Sequence, residues 1–180
     1  MQQGVILDKA LLKIVTQRLC QELIENHGDF SDSVILGLQP RGIHFANKIT
    51  EKLKQELGKE VPYGKLDITF FRDDFRRKGS PLIANATNVP FLIEDKKVIL
   101  IDDVLFTGRS VRAAMDAMAA FGRPTKVELM VLIDRKYTRD LPIQPDYIGK
   151  QVNSMISQKV KVEWENVENA KADNVWLINE

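Results

Sequence analysis

Apolar residues near the start of the chain step by three and four: Leu12, Val15, Leu19 and Leu23 form one helical stripe. Asp8 precedes the stripe and can accept a free N–H at a helix start, while Gly28 follows it, so a helix is predicted between them. The period then changes. Val34-Ile-Leu-Gly-Leu38 is a short continuous apolar run, the mark of a strand buried on both faces, and the turn Gln39-Pro40-Arg41-Gly42 follows. Ile43, Ala46, Ile49, Leu53 and Leu57 restore helical spacing, with Gly58 placed as a left-handed cap. Leu66-Asp-Ile-Thr-Phe-Phe71 predicts the next strand.

From Arg72 to Pro90 periodicity is weak and charge is high, which predicts a long loop that is either a functional flap or disordered, with part of it able to form a hairpin. Val98-Ile-Leu-Ile101 is a second wholly apolar strand. Val111, Ala114, Met115, Met118 and Phe121 then predict a helix that Gly122 and Pro124 stop. Val127 to Ile133 predicts another buried strand, ending at Asp134-Arg135. Lys159 to Trp164 alternates at period two, and Val175 to Ile178 is strand-like. Strands alternating with helices predict an α/β fold around a mostly parallel sheet, with ligands at the strands' carboxyl ends. No repeat, low-complexity run or linker interrupts the pattern, so residues 1–180 are expected to form one domain.

Composition narrows the classes. At 44% hydrophobic and 28% charged, the chain is expected to be a soluble globular protein. No apolar run approaches a membrane span and the N-terminus lacks a signal-peptide layout, so a cytoplasmic protein without membrane contact is expected. One cysteine, Cys20, excludes an internal disulfide, and no Cys/His cluster points to zinc. A net charge of +1 gives no global field for nucleic acid, and no DNA partner is expected. The cations are local instead, at Arg72, Arg76, Arg77 and Lys78 and at Arg135, Lys136 and Arg139.

The chemistry concentrates at residues 98–110. An apolar strand ends in Asp102 and Asp103, then Thr107-Gly108-Arg109-Ser110 opens a helix. Backbone N–H groups and a helix dipole suit a phosphate, and the acids suit ribose hydroxyls or a magnesium ion that keeps its water. The same acids could cap a helix or bind magnesium without a nucleotide. His27 and His44 lack partners at metal spacing and read as structural or surface residues; Cys20 reads as packed beside the apolar stripe, and Trp164 and Trp176 as core or edge.

This segment resembles the phosphoribosyl-pyrophosphate (PRPP) motif of the type I phosphoribosyltransferases. The chain resembles the PyrR family in particular, through Val5-Ile-Leu-Asp8, Gly37-Leu-Gln-Pro-Arg-Gly42, Leu66-Asp-Ile-Thr-Phe-Phe-Arg-Asp-Asp74, Asp102-Asp-Val-Leu-Phe-Thr-Gly-Arg-Ser-Val-Arg-Ala113, Phe121-Gly-Arg-Pro124, Leu141-Pro-Ile143 and Asp146-Tyr-Ile-Gly-Lys150. The resemblance implies a type I phosphoribosyltransferase fold with a small hood and a flexible flap. It implies a uracil phosphoribosyltransferase, a pentosyltransferase making UMP and diphosphate from uracil and PRPP in pyrimidine salvage. UMP and UTP as ligands, leader mRNA as a regulatory partner in pyrimidine gene transcription, and a homodimer or tetramer are implied too.

By the same resemblance, Asp102 and Asp103 face the ribose hydroxyls and hold Mg2+ through water, and together with Arg41 are the catalytic residues. Val104, Leu105, Phe106, Thr107, Gly108, Arg109 and Ser110 form the nucleotide and 5′-phosphate loop. Gln39, Pro40, Arg41 and Gly42 form the pyrophosphate loop, Arg41 as a bidentate cation and Gly42 as a point of close approach. Arg72 is the first choice for a flap cation on pyrophosphate. Asp134 and Arg135 lie beside the base, although the Arg135 side chain could equally form a surface ion pair. Two stretches depart from the family. Gln39-Pro40 replaces a polar residue and threonine, which costs a hydroxyl and an N–H. Gln17-Arg18, Lys136-Tyr137-Thr138 and Gln144 replace residues of the RNA-binding face, where Arg18, Arg139 and Lys150 remain to meet phosphates. The expectation is an enzyme first and an RNA-binding attenuator second. The alternatives are a non-catalytic RNA-binding attenuator of the same fold and a purine phosphoribosyltransferase.

Overall fold

The computed structural model describes residues 3–73, 83–165 and 167–179. Strand β1 (Gln3–Leu7) leads into helix α1 (Lys9–His27), strand β2 (Ser33–Gln39), helix α2 (Gly42–Leu57) and strand β3 (Tyr63–Asp67). A short 3-10 turn, Thr69–Phe71, follows. Next come β4 (Lys97–Leu105), α3 (Arg109–Met118), β5 (Lys126–Lys136), β6 (Tyr147–Asn153), β7 (Gln158–Glu163) and β8 (Asn174–Asn179). Local chemistry fixes the boundaries as anticipated. The Leu11 N–H donates to Asp8 Oδ1 at 2.8 Å to start α1, and Gly58 ends α2 at φ +69.

Strands β3-β2-β4-β5-β6 form a five-stranded sheet whose neighbours are all parallel. Its central strands are apolar on both faces because both faces are covered. Ile99 and Ile101 join the cluster that includes Leu19, Leu23, Phe45 and Ile49 of α1 and α2. Val98 and Leu100 join Val111, Ala114 and Met118 of α3 on the other side. Each fully buried aliphatic side chain of this kind is worth about 1.5–3 kcal/mol against exposure. A separate antiparallel sheet, β1-β8-β7, joins the first strand of the chain to the last two and forms the hood.

Several expectations change. The third strand is Tyr63–Asp67, not Leu66–Phe71; Phe70 and Phe71 sit in the 3-10 turn with their rings exposed. β4 runs through the acid pair to Leu105, where the pattern had placed its end at Ile101. Met115 faces outward, and Ala113 and Ala117 take its place against the sheet. In the 72–90 stretch, Arg76, Arg77 and Lys78 lie outside the described residues; of the hairpin, one antiparallel bridge joins Lys65 and Asn88. Among the described residues no helix is long and apolar enough to cross a membrane.

Candidate active site

Two adjacent parallel strands, β2 and β4, deliver their carboxyl ends to one edge of the sheet, and each feeds a helix there. Both helices lack a side-chain cap: α2 begins after Arg41, and α3 begins after Gly108. The first N–H groups of a helix have no intrahelical partner, and here, among the described residues, only the Arg109 N–H reaches a side chain, Thr107 Oγ1 at 3.5 Å; the helix dipoles add positive potential at the same edge. A cavity of about 380 Å³ opens between them. Gln39, Pro40, Arg41, Arg72, Asp102, Asp103, Val104 and Ser110 line it, so both sequence-predicted loops meet at one site.

Gly42 has a packing reason for being glycine. A Cβ there would lie 2.7 Å from the Ile101 carbonyl oxygen and 2.9 Å from Asp102 Cα. The close approach is between α2 and β4, and it sets the loop at 39–42 directly against the acid pair. Gly108 serves the second loop through its left-handed backbone, φ +90. The Thr107 carbonyl accepts from the Asp140 and Leu141 N–H groups, which pins residues 140–141 over that loop.

The acids are crowded by protein. Burial pushes the Asp102 carboxyl well above its usual range, and the neighbouring Asp103 charge pushes it further. Burial raises Asp103 as well, but the Arg41 guanidinium holds it back, Nε donating to Oδ2 at 3.3 Å. Such a pair takes a cation or a donor-rich ligand readily, because either relieves the cost of ionising both acids. Among the described residues no group of three or more His, Cys, Asp or Glu side chains could hold a metal ion. Two carboxylates without a third ligand fit magnesium, which binds through one or two carboxylates and fills its shell with water and phosphate oxygens.

Arg41 differs from the expected open fork. Besides Asp103, it donates from Nη1 to Glu168 at 3.1 Å and from Nη2 to the Val162 carbonyl at 2.5 Å. Neither hood partner carried a signal in the sequence. Arg72 donates to Ser110 Oγ at 2.8 Å, joining the flap base to α3, and Arg109 bridges Asp73 at 2.6 Å and Asp140 at 3.1 Å. Phe106 and Thr107 stand at the rim of the loop, and Leu105 is buried below it.

Asp134 and Arg135 do not line this cavity. They line a neighbouring one of about 310 Å³, with Asp134 beside Leu105 through strand pairing. Arg135 is 5% exposed and is no surface ion pair: it donates to Ser154 Oγ and to the Met155 and Gln158 carbonyls, and its guanidinium lies 4.0 Å from the Phe106 ring centroid. Asp134 pairs with Arg139.

Comparison with known proteins gives the family and the fold. The family described as phosphoribosyl transferase domain matches residues 2–166. The bifunctional protein PyrR of Desulfosudis oleivorans is 44% identical over 157 residues, 87% of each chain, and that of Bacillus subtilis is 42% identical over 170 residues, 93% of each. The chain belongs to the PyrR family. Solved structures agree on the type I phosphoribosyltransferase fold. A hypoxanthine phosphoribosyltransferase of Trypanosoma cruzi superposes with a TM-score of 0.71 at 13% identity, covering 98% of this chain and 97% of its own. One from Staphylococcus aureus gives 0.65 at 18%, covering 84% and 79%. As a PyrR-family chain, this protein has three cations at positions expected to meet RNA phosphates, and each is bonded within the chain. Arg18 donates to the Ile148 and Gly149 carbonyls, Lys150 to that of Ile6, and Arg139 to those of Leu105, Phe106, Arg135 and Ile143.

Proposed function

We propose that the protein transfers a phosphoribosyl group from PRPP to uracil, forming UMP and diphosphate, as a cytoplasmic PyrR-type uracil phosphoribosyltransferase. The observation that carries this reading is the meeting of two uncapped helix starts and two crowded carboxylates around one cavity. PRPP carries phosphoryl groups at both ends of a sugar, and the two helix starts match those ends. The α3 start and the loop from Val104 to Ser110 receive the 5′-phosphate, and the loop from Gln39 to Gly42 receives the diphosphate. Asp102 and Asp103 hold the ribose hydroxyls. They would also hold a magnesium ion through its water, and such an ion supplies countercharge to the leaving diphosphate.

Breaking the anomeric C–O bond leaves positive charge on the ribose and negative charge on the diphosphate. The acid pair steadies the first and Arg41 the second, as fixed charges aimed at where charge develops. Arg72, tied to α3 through Ser110, positions the base of the flap over that leaving group. No side chain is assigned to take the proton from uracil N1. The Arg135 guanidinium is occupied by the loop at 154–158, so base recognition falls to main-chain groups at the Asp134-Arg135 strand end and the segment after it.

The regulatory half of the reading is RNA binding governed by UMP or UTP, in a homodimer or tetramer. Membership of the family supports it; the engaged state of Arg18, Arg139 and Lys150 argues for weak, sequence-tolerant binding. The deciding experiment measures UMP formation from labelled uracil, PRPP and magnesium, beside hypoxanthine and orotate. UMP formation with no purine product supports the proposal. Product only from hypoxanthine would replace uracil by a purine, and selective leader-RNA binding at several salt concentrations without UMP formation would replace the enzyme by an attenuator.

A further inference from the structure

Arg41 presents three nitrogens and each has a protein acceptor, but the three acceptors differ in how firmly they are held. Asp103 is 6% exposed and Val162 is 2% exposed, so those two acceptors are firmly held although the Arg41 side chain itself is half-buried. The third acceptor, Glu168, has a side chain 68% exposed. The structure assigns to Glu168 the role of an internal competitor for the anionic substrate: its carboxylate takes Arg41 Nη1, a donor that a diphosphate group would otherwise use, and thereby sets the affinity for PRPP. This rests on the phosphoribosyl-transfer reading above, with the diphosphate end at the loop containing Arg41.

The turn that carries Glu168 is built to deliver it. Trp164, 2% exposed, stacks on Phe45 of α2 at 6.0 Å between ring centroids and anchors the end of β7 to the helix that follows Arg41. From that anchor the Val167 N–H donates to the Trp164 carbonyl at 2.9 Å and the Ala170 N–H to the Val167 carbonyl at 3.0 Å. Glu168 and Asn169 both adopt left-handed backbone, φ +50 and +63, an unusual conformation for residues other than glycine. The result places a carboxylate against an arginine beside a phosphate-type loop. Carboxylate and phosphate oxygens make the same kind of charge-assisted bond to a guanidinium, so an incoming diphosphate can exchange with Glu168 while the bonds to Asp103 and Val162 keep Arg41 in place.

An exposed pair of this kind is weak, so the expected effect is modest. Glu168→Gln should tighten diphosphate binding, measured by titration calorimetry with magnesium present, by about 3-fold. It should lower KM for PRPP by a similar factor while kcat and KM for uracil stay put, the pattern of a change in uniform binding. The gain should shrink as salt is added. It should vanish in an Arg41→Ala background. Glu168→Asp, which keeps the charge but shortens the arm, should give a smaller gain in the same direction, and it stands in should Glu168→Gln not fold. Unchanged or weaker diphosphate binding in the variants would overturn the role of Glu168, as would an equal gain without Arg41. Wild-type protein that forms UMP but shows no gain on substitution overturns only this inference. Wild-type protein that neither binds diphosphate nor forms UMP overturns the reading beneath it.

Discussion

The two ends of the parallel sheet both bury ionisable groups, and they treat them in opposite ways. At the amino ends of β2, β5 and β6, His27 from the end of α1 meets Ser33 at 2.8 Å, Glu128 at 2.9 Å and Tyr147 at 3.1 Å. Tyr147 donates to Glu128 at 2.8 Å, and Lys126 adds an ion pair at 2.5 Å. Every polar atom in that group has a partner. Burial alone would raise the Glu128 carboxyl, but bonds from Lys126, Tyr147 and His27 outweigh it and hold the group below the usual range. At the carboxyl ends burial pushes both Asp102 and Asp103 up, and of the two the Arg41 guanidinium bonds Asp103 alone. A saturated network stabilises a fold; an undersupplied one beside a cavity stores demand for a ligand.

The largest expected break in this comparison is Asp103→Asn. It should lower kcat for UMP formation by about 10²–10³-fold, the scale of losing one aimed electrostatic group, without lowering the melting temperature. Glu128→Ala should do the reverse, leaving buried His27 and Tyr147 without their acceptor. It should cost about 3 kcal/mol in urea unfolding while kcat per folded molecule is kept. Tyr147→Phe removes one donor from the same network and should cost about 1 kcal/mol by the same measurement.

The smallest effect is in pH, where the two ends carry opposite signs. Burial lowers the His27 pKa despite the Glu128 charge, so the folded protein resists a proton that the unfolded chain accepts near 6.5. That contribution is complete above 6.5 and is lost as pH falls below it. Raised carboxyls behave oppositely: Asp102 and Asp103 destabilise the fold at neutral pH and cease to as they protonate. Melting temperatures of wild type and Asp102→Asn should therefore differ more at pH 8 than at pH 5, with the variant higher. His27→Gln should flatten the acid side of the profile.

How much of this was legible depended on whether a residue's role is local. The cap at Asp8, the stop at Gly58 and the apolar strand at 34–38 are read from neighbours in sequence and stand as expected; the strand at 98–101 is there too, but it runs on to Leu105. The acid pair and both loops were found because strand-to-helix turns are contiguous text. Phe70 and Phe71 misled because strand propensity reports a preference for half-buried surface, and here the turn leaves both rings in solvent. β6 escaped notice because it is an edge strand whose exposure pattern has no strict alternation. Arg135 was undecided, since its Ser154, Met155 and Gln158 partners are reached only through the fold. Glu168 was invisible for the same reason.

The pairing of β1 with β8 sets Gln3 opposite Ile178, which orders events during synthesis. The parallel sheet can close once β6 has emerged, but the hood waits for the far end of the chain before its middle strand exists. Until then Val162 has no strand beside it at β8 and Arg41 has no firm carbonyl to lean on. A ribosome-bound chain thus carries a nearly finished scaffold in which the setting of Arg41 matures last.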